Sequence, residues 1–288
     1  MFACTLFGID RQVYYRSIKR RITKQDKAVL VVKMVLETRT QMPRIGSKKL
    51  YYLLNQDLKT LKIGRDKFID ILRANHLLIA PKRSYHITTN SHHRFRKYKN
   101  QLLDLQITRP EQVWVSDITY IGKREKPCYL SLITDAYSKK IVGYNVSDNL
   151  STESSLAALK QAIKLRENKK TPLIHHSDRG LQYCANEYQK TLRKNEIQPS
   201  MTQNSDPYEN AVAERVNGIL KQEFNIDKYS KDLPVMKQII KEAVAIYNEK
   251  RPHLSNHMLT PNQMHQQNKL KMKTYKTKNS IKNVFDAV

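Results

Sequence analysis

The sequence predicts an α/β fold built on a mixed β-sheet and preceded by a basic, all-helical region. Before residue 80 the apolar residues recur at helical spacing, whereas residues 110–178 alternate β-branched and aromatic segments with polar turns. The chain of 288 residues with 40% hydrophobic content is long enough for one large domain or two ordinary ones. These observations place a helical region in front of a sheet-containing domain.

The helical region contains three predicted helices. "KQDKAVLVVKMVLETR" predicts a long helix, and "SKKLYYLLNQDL" predicts a second helix that begins at a Ser cap after Gly46. In "GRDKFIDILRANHLL" the apolar residues fall on one side and the basic residues elsewhere. Two short basic helices in succession favour a helix-turn-helix, and the alternative is a helical subdomain that only packs on the rest.

The sheet-containing domain begins at Pro110. "EQVWVSDITYIG", "CYLSLITDAYS" and "KKIVGYNVSD" predict three successive antiparallel strands. "SLAALKQAIKLRE" predicts a helix with Ser151 and Thr152 as cap candidates, and "TPLIHHSD" predicts a fourth strand that ends at Asp178. Further helices are predicted at "NEYQKTLRKN" and at "NAVAERVNGILKQEF". Strands and helices in this order predict an α/β domain with a mixed sheet.

The formal net charge of +26 is concentrated at the two ends of the chain. Residues 1–110 contain 24 Lys and Arg against 7 Asp and Glu, residues 111–225 contain 16 against 14, and residues 226–288 contain 12 against 5. Two basic arms around a near-neutral middle are typical of a protein that lies along nucleic acid. The candidate DNA-contacting cations of the first arm are Lys48, Lys49, Arg65 and Lys67 in the helical region and Arg94, Arg96 and Lys97 in the linker that follows it.

Composition excludes several other classes of protein. No apolar stretch approaches the roughly 18 to 20 residues of a membrane span, and the start "MFACTLFGIDRQ" lacks the basic segment of a secretory signal. We therefore expect a cytoplasmic protein. The three cysteines are far apart and form no C-x-x-C pair, which argues against a disulfide framework and against a zinc ribbon.

Three acids lie at positions where a carboxylate needs a special role. Asp117 is in phase with the apolar residues of its predicted strand, so its carboxylate falls on a largely apolar face, where it must be neutralised, paired or bound to metal. Asp178 ends the fourth predicted strand. Glu214 and Lys221 are seven residues apart on a predicted helix, which leaves them within about 20° of the same direction, with Gly218 between them.

Three carboxylates from two strands and a helix have the composition of a two-magnesium site. Mg²⁺ prefers oxygen ligands and usually takes one or two carboxylates per ion, with substrate phosphate oxygens completing its shell. Two ions about 3.5 to 4 Å apart activate a nucleophile and stabilise the leaving oxygen in phosphodiester chemistry. Each acid considered alone has a structural or surface role as its alternative.

Three segments resemble the signature blocks of a known family. "VWVSDITYI", "HHSDRGLQY" and "NSDPYENAVAERVNGILKQEF" resemble those of insertion-sequence transposases of the OrfB type. The 35 residues between Asp178 and Glu214 match the D-D-35-E spacing of that family. "PRIGSKKLYYLL" and "YNEKRPHLSNHMLTP" are also similar to family segments, so the resemblance covers residues 40–266.

The resemblance implies a core like that of retroviral integrase and ribonuclease H, with a mixed five-stranded sheet flanked by helices. On this basis we expect a basic helical DNA-binding region at residues 1–80 and a cationic linker at residues 81–109. An integrase-like catalytic core is expected at residues 110–228, a C-terminal helical extension at residues 229–266 and a basic tail at residues 267–288.

The resemblance also implies a site and a reaction. Asp117, Asp178 and Glu214 match the family's catalytic metal ligands for two Mg²⁺ ions, which Mn²⁺ can replace. Lys221 matches a basic residue that the family places seven positions after the glutamate, where it contacts DNA. The implied reaction nicks DNA at an element end and transfers the freed 3′-hydroxyl to another phosphodiester.

The surroundings of this site and its partners follow from the same resemblance. Two residues are candidates for hydrogen bonds to the ligand shell, His176 and Asn210, and ordinary strand-end packing is the alternative for the histidine. The implied partners are double-stranded DNA, as element terminal inverted repeats and as target, together with further copies of the chain bound to that DNA. An upstream helix-turn-helix OrfA product is an implied fusion partner.

Other functions, and one other candidate ligand, remain compatible with the sequence. A tyrosine recombinase would use the H-x-x-R at residues 93–96, but no tyrosine after it has a recognisable active-site context. A ribonuclease-H-type nuclease would share the carboxylates without the basic arms, and a catalytically silent product of a decayed element would only bind DNA. Asp135 in "LITDAYSKK" is a rival carboxylate, which by the resemblance begins a turn.

Overall fold

The computed structural model describes residues 4, 6–80, 98–102, 105–122, 127–203, 210–228 and 232–270. The chain divides into two compact units, residues 1–82 and residues 83–288. Among the described residues, no helix combines the length and the apolar character that crossing a bilayer requires.

The N-terminal unit is helical, as the sequence predicts. Its helices are α1 (Arg11–Gln41), α2 (Ser47–Leu53), α3 (Asn55–Thr60) and α4 (Arg65–Ala74). Helix α1 begins well before the predicted start at Lys24, because Asp10 caps it by accepting a hydrogen bond from the Gln12 backbone N–H at 2.6 Å. The predicted Ser cap of the second helix is wrong by one residue, since Gly46 is the cap and Ser47 is the first helical residue.

The core of this unit holds only the second half of α1. Val31 and Val35 of α1 are buried, together with Leu50, Phe68 and Leu72 from the shorter helices. Residues 11–26 of α1 are exposed along their whole length. The basic half of the long helix therefore projects its side chains into solvent.

The second unit contains the predicted mixed five-stranded sheet. Its strands are β1 (Val113–Ile121), β2 (Cys128–Asp135), β3 (Ile141–Ser147), β4 (Leu173–Ser177) and β5 (Ile197–Met201). The spatial order is β3-β2-β1-β4-β5, with β1, β2 and β3 antiparallel to one another and β4 and β5 parallel to β1. The sheet confirms the predicted mixed five-stranded architecture and the predicted three-strand meander.

The fifth strand is the element that sequence patterns missed. It is only five residues long and contains Pro199, which cannot donate a ladder hydrogen bond and therefore argues against a strand. The strand forms because it lies at the edge of the sheet, where one side of the backbone needs no strand partner. The end of the predicted linker lies along it, since the Gln101 backbone donates to Ser200 Oγ at 2.9 Å and the Gln101 amide donates to the Pro199 carbonyl at 3.0 Å.

Helices cover both faces of the sheet. They are α5 (Thr152–Leu165), α6 (Leu181–Cys184), α7 (Asn186–Lys194) and α8 (Ala211–Glu223). The predicted cap of α5 is confirmed, because Ser151 accepts a hydrogen bond from the Ser154 backbone. Trp114 of β1 packs among residues of α5, α6 and α7, whereas the next residue, Val115, packs with Ala213 of α8 on the opposite face.

The C-terminal extension packs against the other edge of the sheet. It contains α9 (Leu233–Glu249) and the short α10 (Pro261–His265). The Asn248 side chain both accepts from the Ile141 backbone N–H at 3.0 Å and donates to the Ile141 carbonyl at 2.9 Å. This side-chain amide takes the place of a further strand at the edge strand β3.

Candidate active site

Asp117 and Asp178 are brought together by the parallel pairing of β1 and β4. The register places Ser116 opposite Ser177, so the next step along both strands sets Asp117 beside Asp178. Partners in a parallel ladder present their side chains on the same face, here the face that α8 covers. The two acids that the sequence predicts as ligands are therefore neighbours, although 61 positions separate them in numbering.

Helix α8 carries the third acid over this pair. The Asn210 side chain donates to the Ser116 carbonyl at 3.1 Å, and the Asn217 side chain donates to Asp117 Oδ2 at 2.7 Å. Glu214 is four residues after Asn210 and three before Asn217, so all three share one side of the helix. The two asparagines thus fix the side of α8 that carries Glu214 toward the end of β1.

The charge of Asp117 is poorly compensated. Burial, followed by the negative charges of Asp178 and Glu214, raises the pKa of Asp117 to about 7. The hydrogen bond from Asn217 lowers the pKa but does not offset those effects. Burial also raises the pKa of Glu214 above its ordinary value. A cluster of acids whose negative charge is not compensated by its hydrogen bonds is suited to binding a cation.

Gly180 gives the Asp178 carboxylate room. The Gly180 backbone N–H donates to Asp178 Oδ1 at 3.0 Å, and a Cβ at this position would lie only 3.0 Å from the same oxygen. Its φ of −62° is available to any residue, so the glycine serves no special backbone conformation. It instead allows the close approach of the carboxylate, which a Cβ would displace by a few tenths of an ångström.

Glu214 is exposed and borders an open groove along α8. The groove has a volume of about 530 Å³ and is lined by Ala211, Glu214, Arg215, Gly218, Ile219, Gln222 and Glu223. A Cβ at Gly218 would meet nothing within 4 Å, so the groove is open beside Glu214. Lys221 is partly exposed. Among the described residues, no three His, Cys, Asp or Glu side chains converge closely enough to enclose a metal ion.

Beneath the two aspartates the sheet is held by buried hydroxyl and imidazole groups. Ser116 Oγ lies 2.6 Å and the Tyr188 hydroxyl 2.9 Å from Nε2 of His175, and burial lowers the pKa of His175 to about 3. His176, the predicted hydrogen-bond partner of the ligand shell, is buried with its Nδ1 2.9 Å from Ser200 Oγ on β5. These contacts bind the strands to one another next to the acids.

The far end of α8 is fixed by a buried ion pair. Arg251, which is 1% exposed, donates from Nε and Nη2 to the two carboxylate oxygens of Glu223, each at 2.8 Å. The Arg251 guanidinium also lies over the Tyr247 ring at 5.7 Å. The C-terminal extension therefore anchors the same helix that carries Glu214.

The other predicted DNA contacts lie in varied environments. Lys48 and Lys67 are exposed, whereas the Lys49 side chain is only 8% exposed and therefore has little surface to offer DNA. Arg65 is exposed but pairs with Asp66 at 3.0 Å. Three of the candidates lie outside the described residues: Arg94, Arg96 and Lys97.

Asn217 is the site residue that sequence analysis did not single out. It lies in the middle of a helix and is buried beside Val216 and Ile219. In the sequence it therefore only interrupts the apolar stripe of the helix. A usable signal was present, because position 217 is one turn after Glu214 and an amide there faces the same way as the acid.

Comparison with protein families assigns the region that carries these residues. The family described as "Integrase core domain" matches residues 107–207, and a second family of the same description matches residues 195–261. Together the two matches run from before β1 to the start of α10. They include Asp117, Asp178 and Glu214.

Comparison with curated proteins finds relatives from insertion elements. "Insertion element IS600 uncharacterized 31 kDa protein" of Shigella sonnei is 30% identical over 259 residues, covering 87% of this chain and 92% of that protein. "Transposase for insertion sequence element IS904" of Lactococcus lactis is 35% identical over 147 residues, covering 51% of this chain and 58% of the relative. "Putative transposase InsK for insertion sequence element IS150" of Escherichia coli is 30% identical over 178 residues, covering 58% and 62%.

Solved structures of viral integrases are also similar to this chain. The HTLV-2 integrase catalytic core domain in complex with magnesium is 21% identical, with a TM-score of 0.43, covering 55% of this chain and 97% of that chain. The simian T-cell lymphotropic virus intasome is 18% identical, with a TM-score of 0.48, covering 80% and 78%.

Proposed function

We propose that this enzyme, which belongs to the insertion-sequence DDE transposases with an integrase core domain, nicks the ends of its element and joins the freed 3′-hydroxyl to a second phosphodiester. The DNA ends are terminal inverted repeats, and the second phosphodiester is the target. Asp117, Asp178 and Glu214 are the catalytic carboxylates of this proposal, with Lys221 contacting the DNA.

One observation carries the proposal: the β1–β4 register sets Asp117 beside Asp178 under the helix that bears Glu214. Placing like charges together is unfavourable, and the raised pKa of Asp117 reflects that cost. Bringing these charges together opposes folding in the absence of a cation. We therefore attribute the presence of this site to the cation that it binds.

The donor set fits a divalent cation. All three groups supply hard carboxylate oxygens, which Mg²⁺ prefers, and the pair on β1 and β4 supplies the one or two carboxylates that Mg²⁺ usually takes. Glu214 borders the open groove and so lies where a substrate phosphate enters. When bound, Mg²⁺ or Mn²⁺ supplies Lewis-acid activation of the attacking hydroxyl or water and stabilises the leaving oxygen.

The residues of this chain orient those three groups. Asn217 holds one oxygen of Asp117, and Gly180 leaves space for Asp178 while its N–H fixes Oδ1. Asn210 fixes the start of α8 against β1, and Arg251 fixes its end through Glu223. Such outer contacts set the direction of metal-binding carboxylates. His176 has a supporting part through Ser200, because it ties β4 to β5.

Partners follow from the chemistry. Joining two DNA ends to a target requires more than one active site on the DNA, so we propose an oligomer assembled on double-stranded DNA. The upstream OrfA product is proposed as a fusion partner that adds recognition of element ends. Cell fractionation tests the associated location, the bacterial nucleoid.

The experiment that tests the reaction uses a labelled duplex carrying the flanking inverted repeat, incubated with the intact chain and Mg²⁺ or Mn²⁺. We expect 3′-end nicking and joined products with the parent chain and neither product with Glu214→Gln. Gln198→Ala, an exposed change on the edge strand β5 and outside the α8 groove, serves as the control and should leave both products unchanged. A parent chain that binds the duplex and yields neither product, alone or fused to the OrfA product, would identify a DNA-binding protein instead.

A further inference from the structure

A groove lined almost wholly by cations lies in the N-terminal unit, and its lining includes no residue of the proposed active site. It has a volume of about 560 Å³ and lies between α1 and the first turn of α4. Its lining residues are Arg16, Lys19, Arg20, Thr23, Lys24, Lys27 and Lys67. Six of these seven residues carry positive charge and none carries negative charge.

The cations of α1 form one stripe. The five cations, at positions 16, 19, 20, 24 and 27, recur at intervals of three and four, which sets them on one side of the helix. Between positions 16 and 27 the stripe is about 16 Å long at a rise of about 1.5 Å per residue. A strand of duplex DNA places several phosphates within that length.

The stripe has no counter-charge in the part of the chain that is described. None of the six cations of the groove forms an ion pair with a described carboxylate, whereas two other cations of the same unit do: Arg65 with Asp66, and Arg73 with Asp70. Lys27 instead donates to the Leu61 carbonyl at 2.9 Å, which ties α1 to the loop before α4. Like charges three or four residues apart on a helix repel one another, so the stripe opposes the folding of α1 unless an anion lies along it.

We propose that this groove binds the sugar-phosphate backbone of duplex DNA, with Arg16, Lys19, Arg20 and Lys24 following one strand along α1 and Lys67 reaching it from α4. The proposal rests on the proposed function, since a transposase must hold the DNA that it cuts. It differs from the predicted helix-turn-helix surface, because the stripe is on α1 and only Lys67 is shared. A linear array of cations with no apolar residue in its lining recognises a backbone and not a base sequence.

The test compares two variants that lose the same charge from the same helix. The groove variant is Arg16→Gln, Arg20→Gln and Lys24→Gln. The control variant is Arg11→Gln, Arg21→Gln and Lys33→Gln, three exposed positions that point away from the stripe. Both are made in the full chain, and circular dichroism melting checks that both remain folded.

The measured quantity is the affinity for a duplex that carries the flanking inverted repeat, at several salt concentrations and without divalent metal. We expect the groove variant to bind at least tenfold more weakly than the parent and to lose about 2 to 3 from the slope of log affinity against log salt, at about 0.9 per phosphate contact. The control variant should lose less than half as much of both. Equal losses in the two variants would overturn the proposal, because affinity would then depend on net charge alone.

Two further outcomes separate the alternatives. Vesicles of phosphatidylglycerol are titrated with the same variants, and a groove variant that loses vesicle binding while keeping duplex binding would assign the groove to a membrane surface and overturn the proposal. Nicking and joining are assayed separately with Mg²⁺. If the groove variant loses duplex binding and the parent never nicks, only the proposed reaction is contradicted. If the groove variant binds and nicks as the parent does, only the proposed DNA-binding groove is contradicted.

Discussion

Two aspartates on adjacent strands of one sheet have opposite environments. Asp135 at the end of β2 is fully buried, and it accepts hydrogen bonds from the backbone of Glu111 at 2.8 Å, the backbone of Ser138 at 2.7 Å and the Ser138 hydroxyl at 2.7 Å. Interactions with His265 and these hydrogen bonds hold its pKa below the ordinary value despite burial. Asp117 on β1 has one side-chain donor and two acidic neighbours, and its pKa is raised to about 7.

The difference separates a structural carboxylate from one that we propose to be functional. Asp135 was a rival candidate for the metal site, and its contacts instead join the turn after β2 to α10 of the C-terminal extension. A satisfied buried charge holds elements together, whereas an unsatisfied one is retained for a ligand. The predictions below, from the largest expected effect to the smallest, test whether this difference holds.

The largest expected effect is on stability, from Asp135→Ala. The substitution leaves three buried donors without an acceptor, so we expect a loss of about 3 to 5 kcal/mol in the free energy of unfolding. Asp117→Ala, its matched control, removes a repulsive charge and should change the free energy by less than about 1 kcal/mol. Urea unfolding followed by the fluorescence of Trp114, the single tryptophan and a buried one, measures both. Equal losses would remove the distinction between the two aspartates.

The next effect concerns the buried ion pair at the end of α8. Arg251→Ala leaves Glu223 without its partner and should cost about 3 kcal/mol of unfolding free energy. Arg193→Ala, an exposed arginine of the same unit that donates to the Tyr98 hydroxyl, should cost less than about 1 kcal/mol. If urea unfolding gives similar values for the two variants, the pair does not anchor the helix.

Asn217→Ala should affect activity more than folding. The amide fixes one oxygen of Asp117, and removing such an outer contact typically lowers metal affinity or activity by about 10- to 100-fold. The joining assay, run over a range of Mg²⁺ concentrations, should show a raised metal requirement with Asn217→Ala. Gln198→Ala, an exposed change on β5, should behave as the parent chain does. A loss of unfolding free energy with an unchanged metal requirement would make Asn217 purely structural.

The smallest effect is a dependence of stability on pH in the metal-free chain. The folded pKa of Asp117 lies above its ordinary value of 3.8, so its contribution to stability is fully present below about pH 4 and is lost as the pH rises through about 7. Between pH 6 and pH 8 in EDTA, the parent should lose about 1 kcal/mol relative to Asp117→Asn. For Asp135 the folded pKa is lowered, so its contribution persists at neutral pH and is lost only as the pH falls below 3.8. Thermal melts of parent and variants in EDTA measure both trends, and a parent that gains stability above pH 6 relative to Asp117→Asn would contradict the first.

Local patterns in the sequence were sufficient for most of the fold and for the face on which Asp117 lies. Period-two alternation predicted that face because Val113 and Val115 share it, and the structure packs both against α8. The fifth strand was missed because Pro199 disfavours a strand everywhere except at the edge of a sheet. Whether a strand lies at the edge depends on the tertiary structure, which local sequence patterns do not show.

The status of individual site residues depended on contacts between distant parts of the chain. The sequence around Asp135 does not show whether this residue is a metal ligand or a structural carboxylate, because its partner His265 lies far along the chain. Asn217 was overlooked because a buried amide in a helix has meaning only once the acid beneath it is known. The resemblance to transposases supplied the roles of the three acids, whereas the hydrogen bonds that orient them came only from the structure.

The most direct test of the central claim is calorimetric titration of the intact chain with Mn²⁺. We expect the parent to bind Mn²⁺ and both Asp117→Asn and Glu214→Gln to bind it at least tenfold more weakly, with unfolding free energies no lower than that of the parent. Unchanged Mn²⁺ binding in Asp117→Asn would contradict the account, because the poorly compensated charge of Asp117 would then have no ligand to explain it.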